Sequence, residues 1–364
     1  MSQQVGITLG IPIMSAVISA AAGGRTGAAG FALLPGIQAA IWVNGLVCVS
    51  AGLIVAVALR LPIEPRRSDE PGRPHRSGRL HRKNAPSVGV VSSGWRESGP
   101  GMMKPLWIRR NGVLLHGLWR RGQGAPIVVI PGVMADAEAF APAIAAMERP
   151  EPVLILDRRG RFPSGELGEG YSLATEVEDA RAWVDHLGSP VIMVGWSYGA
   201  TIALELAAGD DRVTKLVAYE PVLAPFGREA LPALRAADLD RRVEIINRDI
   251  SLFSRERVAA LRESPTWSVL SRLAAPLPEE LTALDGFQPD PLRWSKVAAE
   301  MILGEDNRGV EPYGSAFERV RALLPLATQT ILPGQGHLAH ADDPSALGRL
   351  IGELIGGSAD ARAQ

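Results

Sequence analysis

The chain has 364 residues, a formal net charge of -1 and a single cysteine, Cys48. This length accommodates one large domain with a further segment attached, and the small net charge gives no reason to expect a nucleic-acid partner. A lone cysteine excludes an intrachain disulfide and argues against a cysteine-rich metal site. We therefore expect a small-molecule partner.

Two apolar stretches without charged side chains, Val5–Gly23 and Gln38–Leu59, fill most of residues 1–60. Each has about the length needed to cross a hydrocarbon core of roughly 30 Å at about 1.5 Å per residue. The sequence thus predicts two membrane spans, with a packed or signal-like helix as the alternative for the first. A cleaved signal peptide is disfavoured because the start, MSQQ, has no basic region.

Residues 61–101 are rich in Arg, Pro, Ser and Gly and show no hydrophobic period, which is typical of a linker. The basic residues directly after the second apolar stretch fit the positive-inside rule. We expect membrane association through residues 5–59, with the rest of the chain in the cytoplasm. The alternative is a solvated linker with no membrane role, and a cytoplasmic protein if translation begins downstream.

The apolar segment resembles the last two transmembrane helices of fourteen-helix drug-efflux transporters of the major facilitator superfamily. Gln3–Gly6, Leu9–Ile11 and Ala40–Asn44 carry this likeness. Two helices cannot form a transport pathway, so the resemblance implies a fusion, a transporter remnant or a start codon assigned too early. No transport activity is expected.

Beyond the linker, the pattern of apolar residues predicts an α/β domain over residues 102–364. Alternation around Asn111-Gly112 predicts a β-hairpin, and later apolar runs alternate with helical patterns, which favours a parallel sheet covered on both faces. Residues 223–295 interrupt this alternation with helices only, and we expect them to form a lid. The other predicted strands are 127–130, 153–156, 191–194, 216–219, 299–303 and 328–332, and the helices are 137–147, 173–187, 200–206, 316–323 and 345–355.

The central motif is Gly195-Trp196-Ser197-Tyr198-Gly199, placed between a predicted buried strand and a predicted helix. This context is typical of a nucleophile elbow, a tight turn that lifts a serine hydroxyl above the sheet. Such a turn forces the serine backbone into a strained conformation and leaves space only for glycine on either side. Ser197 is therefore the candidate nucleophile.

With this motif, four further segments resemble the α/β-hydrolase superfamily from about Pro105 to the end of the chain. They are Ile130-Pro131-Gly132, Asp157-Arg158-Arg159-Gly160 with Ser164-Gly165, Leu303-Gly304-Glu305-Asp306 and Leu332-Pro333-Gly334-Gln335-Gly336-His337. The resemblance implies a mostly parallel, eight-stranded α/β-hydrolase sheet with a helical lid, following the two-helix membrane segment.

Serine catalysis needs a base and an acid that orients the base. His337, after the last strand, occupies the position where the family keeps its histidine, and His340 is its rival. The family order of serine, acid, histidine favours Asp306, although many members place the acid where this chain has Asn307. Glu305 and Glu220, at the end of the 216–219 strand, remain alternatives.

The resemblance also implies an oxyanion hole formed by the backbone N–H groups of Val133 and Tyr198. It implies acyl transfer to water without metal or organic cofactor, as in a serine carboxylesterase (class 3.1.1). The lid residues Trp267, Leu270 and Trp294 suggest an apolar ester or related acyl substrate, or else pack the lid onto the core. Asp157 is interpreted as a turn or cap residue.

Two other functions are consistent with these residues. A hydrolase-like module without catalytic activity, tethered to a membrane, could bind a ligand or partner. Cofactor-free haloperoxidase or carbon–carbon hydrolase chemistry could use the same triad.

Overall fold

The computed structural model describes the backbone of residues 89–90 and all of residues 103–357. The described residues belong to one compact unit, Lys83–Gln364. Among them, no helix has both the length and the apolar character needed to cross a bilayer. The two predicted membrane spans, and the predicted linker except for residues 89–90, lie outside the described residues.

Within the described residues, nine strands form a single sheet in the order β1-β2-β3-β5-β4-β6-β7-β8-β9. The pairs β1–β2, β2–β3 and β3–β5 are antiparallel, whereas all pairs from β5 to β9 are parallel. The predicted eight strands are present, and the two-residue β1 adds to them. The strands are β1 Gly89–Val90, β2 Lys104–Arg110, β3 Val113–Arg120, β4 Ile127–Ile130, β5 Val153–Asp157, β6 Val191–Trp196, β7 Val213–Tyr219, β8 Glu300–Gly304 and β9 Thr328–Leu332.

The predicted hairpin is confirmed, and its turn has a local cause. Arg110 pairs with Val113, so two residues connect β2 to β3. Both have positive φ, 47° at Asn111 and 81° at Gly112. Such two-residue turns match the twist of the strands they join, and Asn-Gly supplies the required backbone angles at low cost.

Helices cover both faces of the sheet because neighbouring strand residues point to opposite sides. Val128 and Ile130 of β4 lie in one buried apolar cluster, and Ile127 and Val129 lie in the other. The first cluster contains residues of α2 and α3, and the second contains residues of α1 and α12. These helices are α1 Ala137–Ala146, α2 Leu173–Leu187, α3 Tyr198–Ala207 and α12 Pro344–Gly356.

All of the regular secondary structure between β7 and β8 is helical. Its helices are α4 Leu231–Ala236, α5 Leu239–Ile245, α6 Arg255–Glu263, α7 Trp267–Leu273, α8 Leu277–Asp285 and α9 Pro291–Trp294, with a 3₁₀ turn at Arg228–Ala230 and a π-helical segment at Ile246–Ile250. After β8 come a 3₁₀ turn at Glu305–Asn307, α10 Tyr313–Arg321 and, past β9, α11 Ala339–Asp342. Helix α10 begins three residues before its predicted start, which places Tyr313 on the helix.

Candidate active site

Ser197 occupies a strained turn between β6 and α3. Its backbone has φ 56° and ψ -122°, outside the regions that side-chain-bearing residues prefer. The close packing explains both flanking glycines. A Cβ on Gly199 would lie 2.1 Å from the Ile130 carbonyl oxygen, and one on Gly195 would lie 2.4 Å from the Ala200 Cα. The local geometry is that of a nucleophile elbow.

His337 is paired with Glu220, which follows β7 directly. The distance between His337 Nδ1 and Glu220 Oε2 is 2.6 Å, and both residues are buried. This pairing differs from the prediction that Asp306 orients the histidine. Asp306 is exposed, and Glu305 accepts a hydrogen bond from the backbone N–H of Gly334 at 2.8 Å. The carboxylate that contacts His337 in the structure is therefore Glu220, one of the two alternatives, rather than Asp306.

The loop after β8 contributes to the pair by holding the carboxylate. The side-chain amide of Asn307 donates to both oxygens of Glu220 at 2.9 Å, and the Gly304 N–H donates to Oε1 at 2.8 Å. A fully buried carboxylate requires such donors. Thus Asn307, at the position where many members of the α/β-hydrolase superfamily keep their acid, here donates to the carboxylate that contacts His337.

Aromatic side chains fix the position of His337. The rings of Tyr313 and His337 stack with centroids 3.5 Å apart and an interplanar angle of 10°. Trp196 Nε1 donates to the His337 carbonyl at 2.9 Å, and the Tyr219 hydroxyl donates to the Gly336 carbonyl at 2.5 Å. Sequence reasoning missed these contacts, because they join residues that are far apart in the chain.

Ser197 and His337 line the same cavity, which has a volume of about 420 Å³. Within the described residues, the Ser197 hydroxyl makes no hydrogen bond to the His337 ring. In unliganded enzymes the hydrogen bond between nucleophile and base is often long, and it tightens when substrate binds. The cavity therefore brings together the two side chains that the sequence predicted as nucleophile and base.

The two residues predicted to form the oxyanion hole lie in segments next to this serine. Val133 lines the cavity, and its loop reaches Ser197 closely, because a Cβ on Gly132 would lie 2.9 Å from the Ser197 Cβ. Tyr198 is the first residue of α3, so its backbone N–H has no acceptor within the helix. Two backbone donors beside the nucleophile are what a tetrahedral oxyanion requires.

Arg158, which is almost fully buried, holds the loop that carries Val133. Its Nε donates to the Pro131 carbonyl at 2.9 Å, and Nη2 donates to the Gly132 carbonyl at 2.8 Å. The guanidinium lies 5.0 Å from the centre of the Tyr198 ring. Arg158 thus contacts the segments that carry both candidate oxyanion donors.

Two buried carboxylates bind the guanidinium of Arg158. Nη1 donates to Glu176 at 2.7 Å, and Nη2 donates to Glu280 of α8 at 2.5 Å. Glu280 also accepts two hydrogen bonds of 2.8 Å from Arg161. Burial raises the pKa of Glu176, and the charge of Arg158 opposes that effect. This cluster links a helix of the inserted region to the loop beside Ser197.

The apolar residues predicted for the lid have different surroundings. Leu270 lines the cavity. Trp267 Nε1 donates to Asp240 at 3.0 Å and Trp294 Nε1 donates to Glu205 at 2.7 Å, and neither indole lines the cavity. Both tryptophans therefore pack against neighbouring residues, which was the alternative to lining the substrate site.

Asp157 has a structural environment, in agreement with its interpretation as a cap. Its Oδ1 accepts from the Ala137 N–H at 2.7 Å, at the start of α1, and its Oδ2 lies 2.6 Å from His116 Nδ1. Neither Asp157 nor His116 lines the cavity. Across residues 103–357, no group of three or more His, Cys, Asp or Glu side chains is arranged to hold a metal ion.

Comparison with known proteins gives the same fold. A sequence model described as the Alpha/beta hydrolase family matches residues 113–349. The chain is similar to an alpha/beta hydrolase from Sphaerobacter thermophilus, at 23% identity and a TM-score of 0.56 over 67% of this chain and 97% of that one. A hydrolase from Pseudomonas aeruginosa matches at 18% identity and a TM-score of 0.57, over 71% and 100% of the two chains. A haloalkane dehalogenase loop variant from Bradyrhizobium elkanii matches at 19% and 0.53, over 72% and 100%. At these identities the likeness concerns the fold alone.

Proposed function

Because the chain belongs to the alpha/beta hydrolase family, we propose that it is a serine hydrolase of the carboxylesterase type, with Ser197, His337 and Glu220 as its triad. One observation carries this proposal: His337 is held by a buried carboxylate at 2.6 Å and lines the same cavity as the strained serine. A serine hydroxyl becomes an effective nucleophile only when a base oriented in this way can accept its proton.

In the proposed reaction, His337 Nε2 accepts the proton of Ser197 as the serine oxygen attacks the ester carbonyl. The Val133 and Tyr198 N–H groups stabilise the resulting oxyanion, and the protonated histidine then donates its proton to the departing alcohol. Water, deprotonated by His337, cleaves the acyl-serine and restores the enzyme. Glu220 holds the imidazole in the tautomer with Nδ1–H and stabilises its protonated form.

The cavity favours a neutral, largely apolar substrate. No lysine or arginine is found among the described residues that line it, and the acidic Asp136 and Glu138 do line it. Much of the remaining wall is apolar, as at Phe226, Ile246 and Leu273. An anionic substrate would lose its hydration in this cavity without gaining a positively charged partner.

The test of the proposal compares two p-nitrophenyl esters, the butanoate and the hemisuccinate, with the full-length protein. We expect a rapid release of nitrophenol that matches the enzyme concentration, followed by slower turnover, because an acyl-enzyme forms first. We expect kcat/KM to be at least about tenfold higher for the neutral butanoate, since the anion gains no partner. Equal values would contradict the substrate assignment, and a folded protein that hydrolyses neither ester would refute the esterase.

Arg158 is proposed as a positioning residue for the oxyanion hole. In Arg158→Lys, the charge between Glu176 and Glu280 is kept, but a lysine cannot donate to both loop carbonyls in the same fork geometry. We expect kcat to fall by about 10- to 100-fold, while KM stays within about threefold, because the donors act mainly on the transition state.

The matched control for this prediction is Arg159→Lys. Arg159 is the neighbouring buried arginine and binds Asp179 and the Leu167 carbonyl, but not the loop beside Ser197. Its lysine variant should keep the parent kcat. If both variants lose kcat equally, or only in proportion to the loss of folded protein seen in thermal unfolding, Arg158 has only a structural role.

A further inference from the structure

His340 lies in the wall of the cavity, three residues after the proposed base. It is 8% exposed and sits in an aromatic environment. Its ring stacks on Phe140, with centroids 4.6 Å apart and an interplanar angle of 1°, and lies 4.3 Å from the Trp196 ring. The proposed triad does not use this side chain, although it lines the same cavity as Ser197.

The two ring nitrogens of His340 differ. Of these two nitrogens, Nδ1 alone is fully buried and has no hydrogen-bond partner within the described part of the chain. A buried N–H without an acceptor is less tolerable than a buried acceptor without a donor. The favoured tautomer therefore carries its proton on Nε2, which is not fully buried and makes no hydrogen bond within the described residues, so that a molecule in the cavity can accept from it. Burial, together with the nearby His337, lowers the pKa of His340 to about 3, so the ring is neutral at physiological pH.

Other buried polar groups in the wall already have partners. The hydroxyl groups of Ser251 and Tyr313 bind each other at 2.7 Å. The side-chain amide of Asn247 donates to the Val243 carbonyl at 2.8 Å. Outside the proposed triad, His340 is thus the buried polar side chain of the wall that makes no hydrogen bond within the described residues.

We propose that His340 is a specificity-determining residue whose Nε2–H binds a neutral oxygen acceptor of the substrate, such as an ether, hydroxyl or keto oxygen, outside the ester that is cleaved. This inference rests on the proposed function. It narrows the substrate class from apolar esters to esters that carry one additional uncharged oxygen. A buried donor raises kcat/KM for a substrate that accepts its hydrogen bond. It lowers kcat/KM for an analogue that has a methylene at the same place, because the donor then stays unpaired.

The test uses pairs of substrates in which one methylene is replaced by oxygen. In the acyl series, p-nitrophenyl methoxyacetate is compared with the butanoate, 3-methoxypropanoate with the pentanoate, and 4-methoxybutanoate with the hexanoate. In the alcohol series, 2-methoxyethyl butanoate is compared with butyl butanoate. The ratio of kcat/KM within each pair is measured for the parent, His340→Phe and His340→Gln. Dividing the ratio for the parent by that for a variant cancels the intrinsic reactivity of the esters.

His340→Phe keeps the stacking on Phe140 but removes the donor, and we expect it to lower the ether-to-alkyl ratio about tenfold for at least one pair. Gln places an amide N–H near the position of Nε2, so His340→Gln should restore the ratio to within about threefold of the parent. If every ratio in both series changes less than twofold in His340→Phe, the proposal is wrong.

A second measurement does not depend on turnover. In ¹⁵N-histidine spectra of the full-length protein, the signals that are present in the parent and absent from His340→Phe belong to His340. We expect these signals to be those of a neutral ring protonated at Nε2 between pH 5 and 8. A ring protonated at Nδ1, or one that becomes charged in this range, would overturn the inference. If the parent hydrolyses none of the esters, the proposed function fails, and the tautomer still decides whether His340 offers the donor.

Discussion

Ser197→Ala should abolish hydrolysis of p-nitrophenyl butanoate, with a loss in kcat on the order of 10⁵- to 10⁶-fold. The variant lacks the oxygen that forms the acyl intermediate, and no neighbouring group can take that covalent role. The strained φ of 56° belongs to the backbone and is kept in the variant, so we expect the same fold. Residual rate would come from the oxyanion donors and substrate binding alone. The measurement is steady-state release of nitrophenol, with melting followed by circular dichroism.

The control for this prediction is Ser268→Ala. Ser268 is exposed, lies on α7, and its only side-chain bond within the described residues is a long one to the Pro265 carbonyl. The Ser268→Ala variant should hydrolyse the ester at the parent rate. An active Ser197→Ala variant would refute the esterase, and equal losses in both variants would indicate damage to the fold.

The second large effect is expected for Glu220→Gln. Glu220 Oε2 accepts from both His337 Nδ1 at 2.6 Å and the Asn307 amide at 2.9 Å. A glutamine NH₂ at that place would donate to Nδ1, which forces the imidazole proton onto Nε2. The ring could then no longer accept the Ser197 proton, so we expect kcat to fall by roughly 10³- to 10⁴-fold.

Asp306→Asn provides the matched comparison, because it makes the same chemical change at the acid that the sequence favoured. Asp306 is exposed, and its side chain makes no hydrogen bond within the described part of the chain. We expect kcat to stay within about threefold of the parent. The reverse pattern, with Asp306→Asn inactive and Glu220→Gln active, would show that the acid lies after β8.

The sequence predicted the elements whose causes are local. The Asn111-Gly112 hairpin depends on two backbone angles, and the elbow depends on Gly195 and Gly199 beside one serine. Each of these causes lies within a few residues of its effect, so the pattern is visible in the chain. Strand β9 and helix α2 were predicted with the bounds that the structure has, because β9 ends before Pro333 and α2 lies between Ser172 and Gly188.

The partner of His337 could not be decided in this way. Glu220 and His337 are 117 positions apart and meet only because β7, β8 and β9 lie side by side in the sheet. The sequence predicted a parallel sheet, but neither the strand order nor the reach of each side chain from its loop. The presence of Asn307, an amide where the resemblance favoured an acid, was the signal that pointed toward Glu220.

The contacts of Arg158 and His340 could not be predicted from the sequence either. Glu280, which binds Arg158, lies 122 positions later on a helix whose packing the sequence did not specify. The stacking of His340 on Phe140 joins α11 to α1. Such contacts depend on how helices pack on the sheet, and periodicity alone reports only which face of each helix is buried.

The proposed activity depends most on Ser197 being the nucleophile, and a phosphoryl probe tests this most directly. When the full-length protein reacts with diethyl p-nitrophenyl phosphate, the serine oxygen attacks phosphorus and p-nitrophenolate leaves. Intact-mass and peptide-mapping mass spectrometry should then find one diethylphosphoryl group per chain, on the peptide containing Ser197, and much slower formation in Glu220→Gln. A folded protein that stays unmodified, or that carries the group on a different residue, would contradict the account.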